Sequence, residues 1–171
     1  IDALRSAEIY DPATDTWSRT GSLKGGAFLQ IDATLQNGRV LVATGDNGNK
    51  YVLGGAQIYD PVTGTWRPTG RLGTARKFAG AASLVDGRVL VAGGISLASS
   101  ALKTAEAFLP TSGLWIEAGS LNHPRLNPVL TRLNDGRVLA TGGSTAGGVD
   151  QSYADLYDPT LDSWVELPQM N

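Results

Sequence analysis

The chain has 171 residues, with 14 Lys and Arg against 16 Asp and Glu, a formal net charge of −2, one His and no Cys. This balance supplies no broad basic surface for nucleic acid, and the absence of Cys excludes disulfides, thiolate zinc sites and cysteine nucleophiles, while one His excludes any site built on two imidazoles. Apolar residues at 42% suffice for a packed core, and no apolar run approaches the roughly 20 residues of a membrane helix, so neither a nucleic-acid partner nor a membrane span is expected.

The first residue is Ile1 rather than Met, which leads us to expect a processed chain or a piece of something longer. From there the sequence repeats. Trp17, Trp66, Trp115 and Trp164 stand 49 residues apart, as do Ala7, Ala56, Ala105 and Ala154, and Pro12, Pro61, Pro110 and Pro159. The block Gly-Arg-Val-Leu returns with the same period at Gly38–Leu41, Gly87–Leu90 and Gly136–Leu139. A fixed period of this size marks a stacked repeat architecture.

One unit reads as strands. Ala79–Val85 is small and apolar, Asp86-Gly87 makes a tight turn, and Arg88–Ala92 is apolar and β-branched: a hairpin. Gly93-Gly94 follows, then a variable stretch, then Ala105–Leu109, a turn opening at Pro110, and a last strand around Trp115. In the other units that turn opens with Asp11-Pro12, Asp60-Pro61 and Asp158-Pro159, where Pro presets φ and Asp can accept from the backbone ahead. The unit is thus a four-stranded antiparallel meander, strands A to D. Strands are expected near 7–10 and 16–19, then near 28–35, 39–44, 56–60 and 65–68, recurring every 49 residues. No stretch carries a capped 3.6-residue apolar period, so helix is not expected.

The fold class expected is all-β: a β-propeller of three full blades (22–68, 71–117, 120–167) after a half-blade (1–20). Fourteen strands fall short of the smallest closed ring of about four four-stranded blades. The chain is therefore expected to belong to a larger ring, completed by further blades or by another chain. The Trp, Tyr and Gly-Gly ladders answer a packing demand made by every blade, and Trp66 and Trp115, flanked by other blades, are expected to be the most buried of the four Trp.

These features resemble the kelch repeat family, in which a Gly-Gly doublet closes the second strand, a Tyr lies on the third and a Trp on the fourth. Here the doublets are Gly93-Gly94 and Gly142-Gly143, and the Tyr ladder is Tyr10, Tyr59 and Tyr157. The departures are Thr44-Gly45 in place of the first doublet, and Phe108-Leu109 in place of Tyr-Asp. The run Asp-Gly-Arg-Val-Leu-Val-Ala-Gly-Gly is similar to bacterial tandem-kelch proteins, many of them exported, and to the propeller of galactose-oxidase-like proteins. The resemblance implies a position outside the cell or at its surface, with the cytoplasm left open.

Function is expected where the units differ, on loops over a rigid scaffold. The B–C loops, 46–53, 95–102 and 144–152, share one face. Asp46, Asn47 and Asn49 offer oxygen ligands at short spacing, but no Glu follows at the distance a calcium loop requires, so this stretch reads as a polar turn with calcium as the lesser alternative. Arg76 and Arg125 occupy one register in the D–A loops, with Ala27 at that position in the first full blade. They are read either as a channel-facing anion site, since Arg binds carboxylate or phosphate bidentately, or as salt bridges to a neighbouring blade. His123, the sole imidazole, lies beside Pro124 and Arg125 and is read as solvated, with a general-base or binding role as the alternative. Glu8 and Glu106 are read as solvated faces. Arg39, Arg88 and Arg137, which follow the A–B turns, are read as supports for turns or blade edges.

The function expected is a non-catalytic binding or interaction module that holds a protein or carbohydrate ligand on its loop face and uses no cofactor. Two alternatives accompany it. One is part of a carbohydrate-active, galactose-oxidase-like enzyme whose catalytic residues lie outside this chain; the copper-radical site of such enzymes needs Cys, Tyr and His together, which this stretch cannot supply. The other is a structural repeat of a surface assembly.

Overall fold

The computed structural model describes residues 3–48, 51–98 and 100–170. Its strands run, in chain order, β1 (Glu8–Asp11) and β2 (Thr16–Arg19); β3 (Ile31–Thr34), β4 (Val40–Ala43), β5 (Ala56–Asp60) and β6 (Thr65–Thr69); β7 (Gly80–Ser83), β8 (Val89–Ala92), β9 (Ala105–Leu109) and β10 (Leu114–Ala118); β11 (Val129–Arg132), β12 (Val138–Thr141), β13 (Ala154–Asp158) and β14 (Ser163–Leu167). They form one two-stranded and three four-stranded antiparallel sheets, each a meander in sequence order. No helix occurs among the described residues. We refer to the half-blade and to blades I, II and III.

The inner strands are shorter than the apolar runs suggest. Leu29, Phe78 and Asn127, one period apart, hold φ of 57°, 57° and 50°. Each left-handed residue turns the chain between an isolated bridge (Phe28 to Asp46, Lys77 to Ile95, Leu126 to Ser144) and the strand that follows. The A–B turns close as the Asp-Gly and Asn-Gly pairs predict: Leu84 N–H donates to Arg88 O at 2.8 Å, and Gly87 takes φ of 90°.

Alternation along the strands sends one set of side chains forward to the next blade and the other back to the preceding one. Blade I sends Ile31, Leu41 and Ala43 forward against Val89, Val91 and Phe108 of blade II. Blade II sends Ala82, Leu90 and Ala92 forward against Val138, Tyr157 and Trp164 of blade III. The core is therefore two flat interblade layers rather than one central cluster.

The outer rim is fixed by backbone. The indole N–H of Trp115 donates to Gly70 O at 3.0 Å, and that of Trp164 to Gly119 O at 2.6 Å. In return Gly70 N–H donates to Gly113 O and Gly21 N–H to Gly64 O, both at 2.9 Å. A Cβ on Gly21, Gly70 or Gly119 would fall 2.5, 2.2 or 2.4 Å from a turn carbonyl of the following blade. Glycine is required there by proximity, not by φ.

The Trp ladder looks backward, and this corrects the expected order of burial. Trp164, in the last blade, is the most buried at 9% exposure, Trp66 and Trp115 are half-buried, and Trp17 is 67% exposed. A Trp is covered by the blade before it, and Trp17 has none among the described residues. Tyr10, tilted against Trp17 with ring centroids 5.2 Å apart, is likewise 43% exposed, whereas Tyr157 is fully buried. Trp164→Ala is therefore expected to destabilise the fold by about 3–5 kcal/mol, and Trp17→Ala by no more than about 0.5 kcal/mol, measured by chemical denaturation. Equal losses at the two positions would contradict the backward-facing geometry.

Candidate functional site

The two D–A loop arginines are enclosed by their own blades. Arg76 donates through Nη1 to Gly93 O and Thr104 O at 3.0 and 2.7 Å, and through Nη2 to Glu106 Oε1 at 2.8 Å. Glu106 also accepts from the backbone N–H groups of Gly73 and Thr74, at 2.6 and 3.0 Å. Arg125 repeats the arrangement: Nη1 donates to Tyr153 O at 2.9 Å and Nη2 to Asp155 Oδ2 at 2.5 Å. Burial pushes both guanidinium pKa values down, and the paired carboxylate opposes the shift.

Three expectations change as a result. Arg76 and Arg125 have no exposed surface and do not face an open channel. Their partners belong to the same blade, not to a neighbouring one, because the D–A loop carries the Arg back under the start of its own third strand. Glu106 is buried rather than solvated, whereas Glu8 is exposed. Removing one member of a buried pair leaves the other charge uncompensated. Asp155→Ala is expected to cost about 3–5 kcal/mol, read by denaturant melts; a change within about 0.5 kcal/mol would mean that the pair does not hold the loop.

His123 does not join a constellation with Arg76 or Arg125. Its ring stacks on Tyr153 at 4.2 Å, and Nε2 lies 3.3 Å from Glu166 Oε1 on the outer side of blade III. Arg88 and Arg137 brace their turns through Asp86 and Asp135, at 2.6 Å in each case, and Arg39 pairs with Asp60 at 2.9 Å.

The mouth of the propeller holds a feature that the sequence did not single out. Lys77, on the loop entering blade II, reaches across to Asp46 on the B–C loop of blade I, Nζ to Oδ2 2.6 Å. Asp46 also accepts from Gly48 N–H at 2.7 Å. Its carboxylate is thereby engaged by an ammonium and a turn N–H. No group of three His, Cys, Asp or Glu side chains suited to a metal ion occurs among the described residues. Asn47 donates its backbone N–H to Tyr51 O at 3.3 Å, and Asn49 lies outside the described residues. The positions in register with Lys77 are Phe28 and Leu126, and those in register with Asp46 are Ile95 and Ser144. A charged departure from an apolar ladder was the available signal.

This ion pair floors a cleft of about 630 Å³ between blades I and II, walled by Phe78, Ile95 and Leu97. Lys77 Nζ lies 5.7 Å from the Phe78 ring centroid. The Lys77 hydrogen bond, followed by the Gly48 N–H, lowers the Asp46 pKa below the usual carboxylate range. A lowered folded-state pKa contributes stability above the unfolded value and loses it as pH falls through the folded one. The pair should therefore persist on acidification until below about pH 4, and a carboxyl-detected NMR titration should give Asp46 a midpoint below that of an exposed Asp. In Lys77→Ala that midpoint should rise.

No family model matches the chain, and no curated protein matches it. Among solved structures it is similar to YjhT, with a TM-score of 0.80 at 14% identity. The alignment covers 99% of this chain and 66% of that one, so the chain spans about two thirds of YjhT's length. Together with the meanders and interblade layers, this defines the fold as a run of β-propeller blades.

Proposed function

We propose that the chain is a non-catalytic, kelch-type propeller segment that binds a protein or carbohydrate ligand across its mouth face, in an exported bacterial protein. The observation that carries this reading is the cleft between blades I and II. Its volume of about 630 Å³ falls in the range of ligand pockets, and it joins apolar walls to a few polar groups, as such pockets do. It is also assembled from Asp46 and Lys77, positions where the repeat is broken. The test is an array of glycans and peptides probed with the chain, beside Lys77→Ala and Leu97→Ser. Binding lost in both variants at unchanged melting temperature is the expected result. Binding indifferent to both, or turnover of a sugar, would overturn the reading.

The two end faces support the proposal that the ring is completed by further blades or another chain. The half-blade leaves Tyr10 and Trp17 uncovered, and blade III leaves Val129 and Val165 about three-fifths exposed. Apolar surface of this kind gives roughly 25 cal/mol per Å² on burial. Light scattering on the isolated chain should show association, and a sharp monomer of 17.9 kDa with a cooperative melt would contradict it.

A further inference from the structure

Blades II and III carry the same notch with different contents. In blade II it lies between the D–A loop and strands β9 and β10, inside the run of blades rather than at an end of it. It holds about 260 Å³ and is lined by Thr74, Thr104, Glu106, Glu117 and Ser120, with no Lys or Arg. Glu106 and Glu117 are cross-strand partners, so they project from one face of the sheet. Glu106 is already engaged by Arg76 and by the backbone N–H groups of Gly73 and Thr74. Glu117 is exposed and has no hydrogen-bond or ion-pair partner among the described residues.

Blade III shows what such a notch holds. His123 stands in register with Thr74, Tyr153 with Thr104, and Glu166 with Glu117. There the imidazole of His123 stacks on Tyr153, with ring centroids 4.2 Å apart. Its Nε2 lies 3.3 Å from Glu166 Oε1, within ion-pair reach though not aligned as a hydrogen bond. In blade III the chain therefore fills the notch itself, with a ring that is cationic when protonated, set against the register equivalent of Glu117. In blade II both the ring and its stacking platform are threonine, while the carboxylate is kept. Blade I has Pro68 at the carboxylate position and cannot form the same contact.

We infer that the blade II notch is a binding site for a planar nitrogen cation, of the imidazolium or guanidinium class, which takes the place that His123 takes in blade III. The cation lies against Glu117, and its remaining N–H groups turn to the hydroxyl oxygens of Thr74 and Ser120. A carboxylate flanked by hydroxyls suits a cation with several donors, and the charge-assisted bonds are the stronger kind. Glu106 adds no net charge, because Arg76 balances it. Its part is to hold the loop that carries Thr74. The site is separate from the mouth cleft and does not depend on a ligand there.

The test is an amide NMR titration of the full chain with methylguanidinium, imidazole, tetramethylammonium and acetate, at about pH 5.5, a unit below the ordinary imidazole value. Saturable shifts at Gly73, Thr74, Glu117 and Ser120 are expected with methylguanidinium and imidazole. Tetramethylammonium, a cation without N–H groups, and acetate should leave these signals in place. Glu117→Gln should weaken binding by about tenfold, the scale of a lost charge-assisted contact. Thr74→His with Thr104→Tyr gives blade II the contents of blade III; it should abolish binding without lowering the melting temperature. The reverse pair, His123→Thr with Tyr153→Thr, should create new saturable shifts at Asn122 and Glu166. Leu97→Ser, in the mouth cleft, should leave binding unchanged. A blocked Gly-Arg-Gly peptide binding more tightly than methylguanidinium would assign the cation to a partner's side chain, and equal or weaker binding to a free small molecule. Absence of saturable shifts, equal binding of tetramethylammonium or acetate, indifference to Glu117→Gln, or binding that survives in the filled notch would overturn the inference.

Discussion

The architecture depends on the approach of one blade's outer strand end to the next blade's turn. At Gly21, Gly70 and Gly119 the turn carbonyl comes so close that a methyl group would overlap it. The same short stretch of backbone accepts an indole N–H from the next blade at Gly70 and Gly119. These contacts set the spacing between sheets, and the spacing sets which side chains fit between them. Behind the glycine gate the layer admits Val89, Val91 and Phe108 at one interface and Val138, Tyr157 and Trp164 at the other. The 49-residue period is the sequence record of this one contact, repeated.

Because blades are held by backbone and by flat apolar layers, the loops at the mouth are relieved of packing duty. In blades II and III the buried Arg–carboxylate pair anchors the base of these loops from inside the blade. Its neutral backbone acceptors matter as much as the ion pair: Gly93 O and Thr104 O take hydrogen bonds that would otherwise be left unmade in a buried region. Above the blade II anchor Lys77 departs from its apolar ladder, and it reaches across the mouth to Asp46 of blade I, a blade without such a pair.

Periodicity made the strands legible, since it is a property of the chain alone. Boundaries of the third strands at 56, 105 and 154 could be read from the Ala ladder and agree with β5, β9 and β13. What could not be read was direction. Nothing local to Trp66 says that its ring faces the preceding blade, so symmetry between neighbours was the natural assumption, and burial followed the other rule. The same holds for Arg76. Its spacing from Glu106 covers two strands and a loop, and only the folded meander brings the D–A loop beside the third strand. Asp46 was visible as an oxygen donor, but its partner Lys77 lies 31 residues away on another blade, with no sequence feature joining them. The A strands were overestimated because a left-handed Leu29 or Phe78 has no residue-type signature, as Gly would.

Blade I has no buried ion pair, since Ala27 and Gln57 stand in register with Arg76 and Glu106, and the two changes go together. Deleting only the Arg would have stranded a buried carboxylate, and deleting only the acid would have stranded a buried guanidinium; either is strongly destabilising. Ala27 and Gln57 remove both charges together, so the fold survives with a neutral amide that still accepts from Lys24 N–H at 2.7 Å. Neutralisation alone, however, does not account for Thr44. Its left-handed backbone carries a strain of about 1–3 kcal/mol that Gly avoids in the other blades, and its hydroxyl gains no hydrogen bond in return. On fold energetics alone Gly would be favoured at 44, as at Gly93 and Gly142 in the other blades.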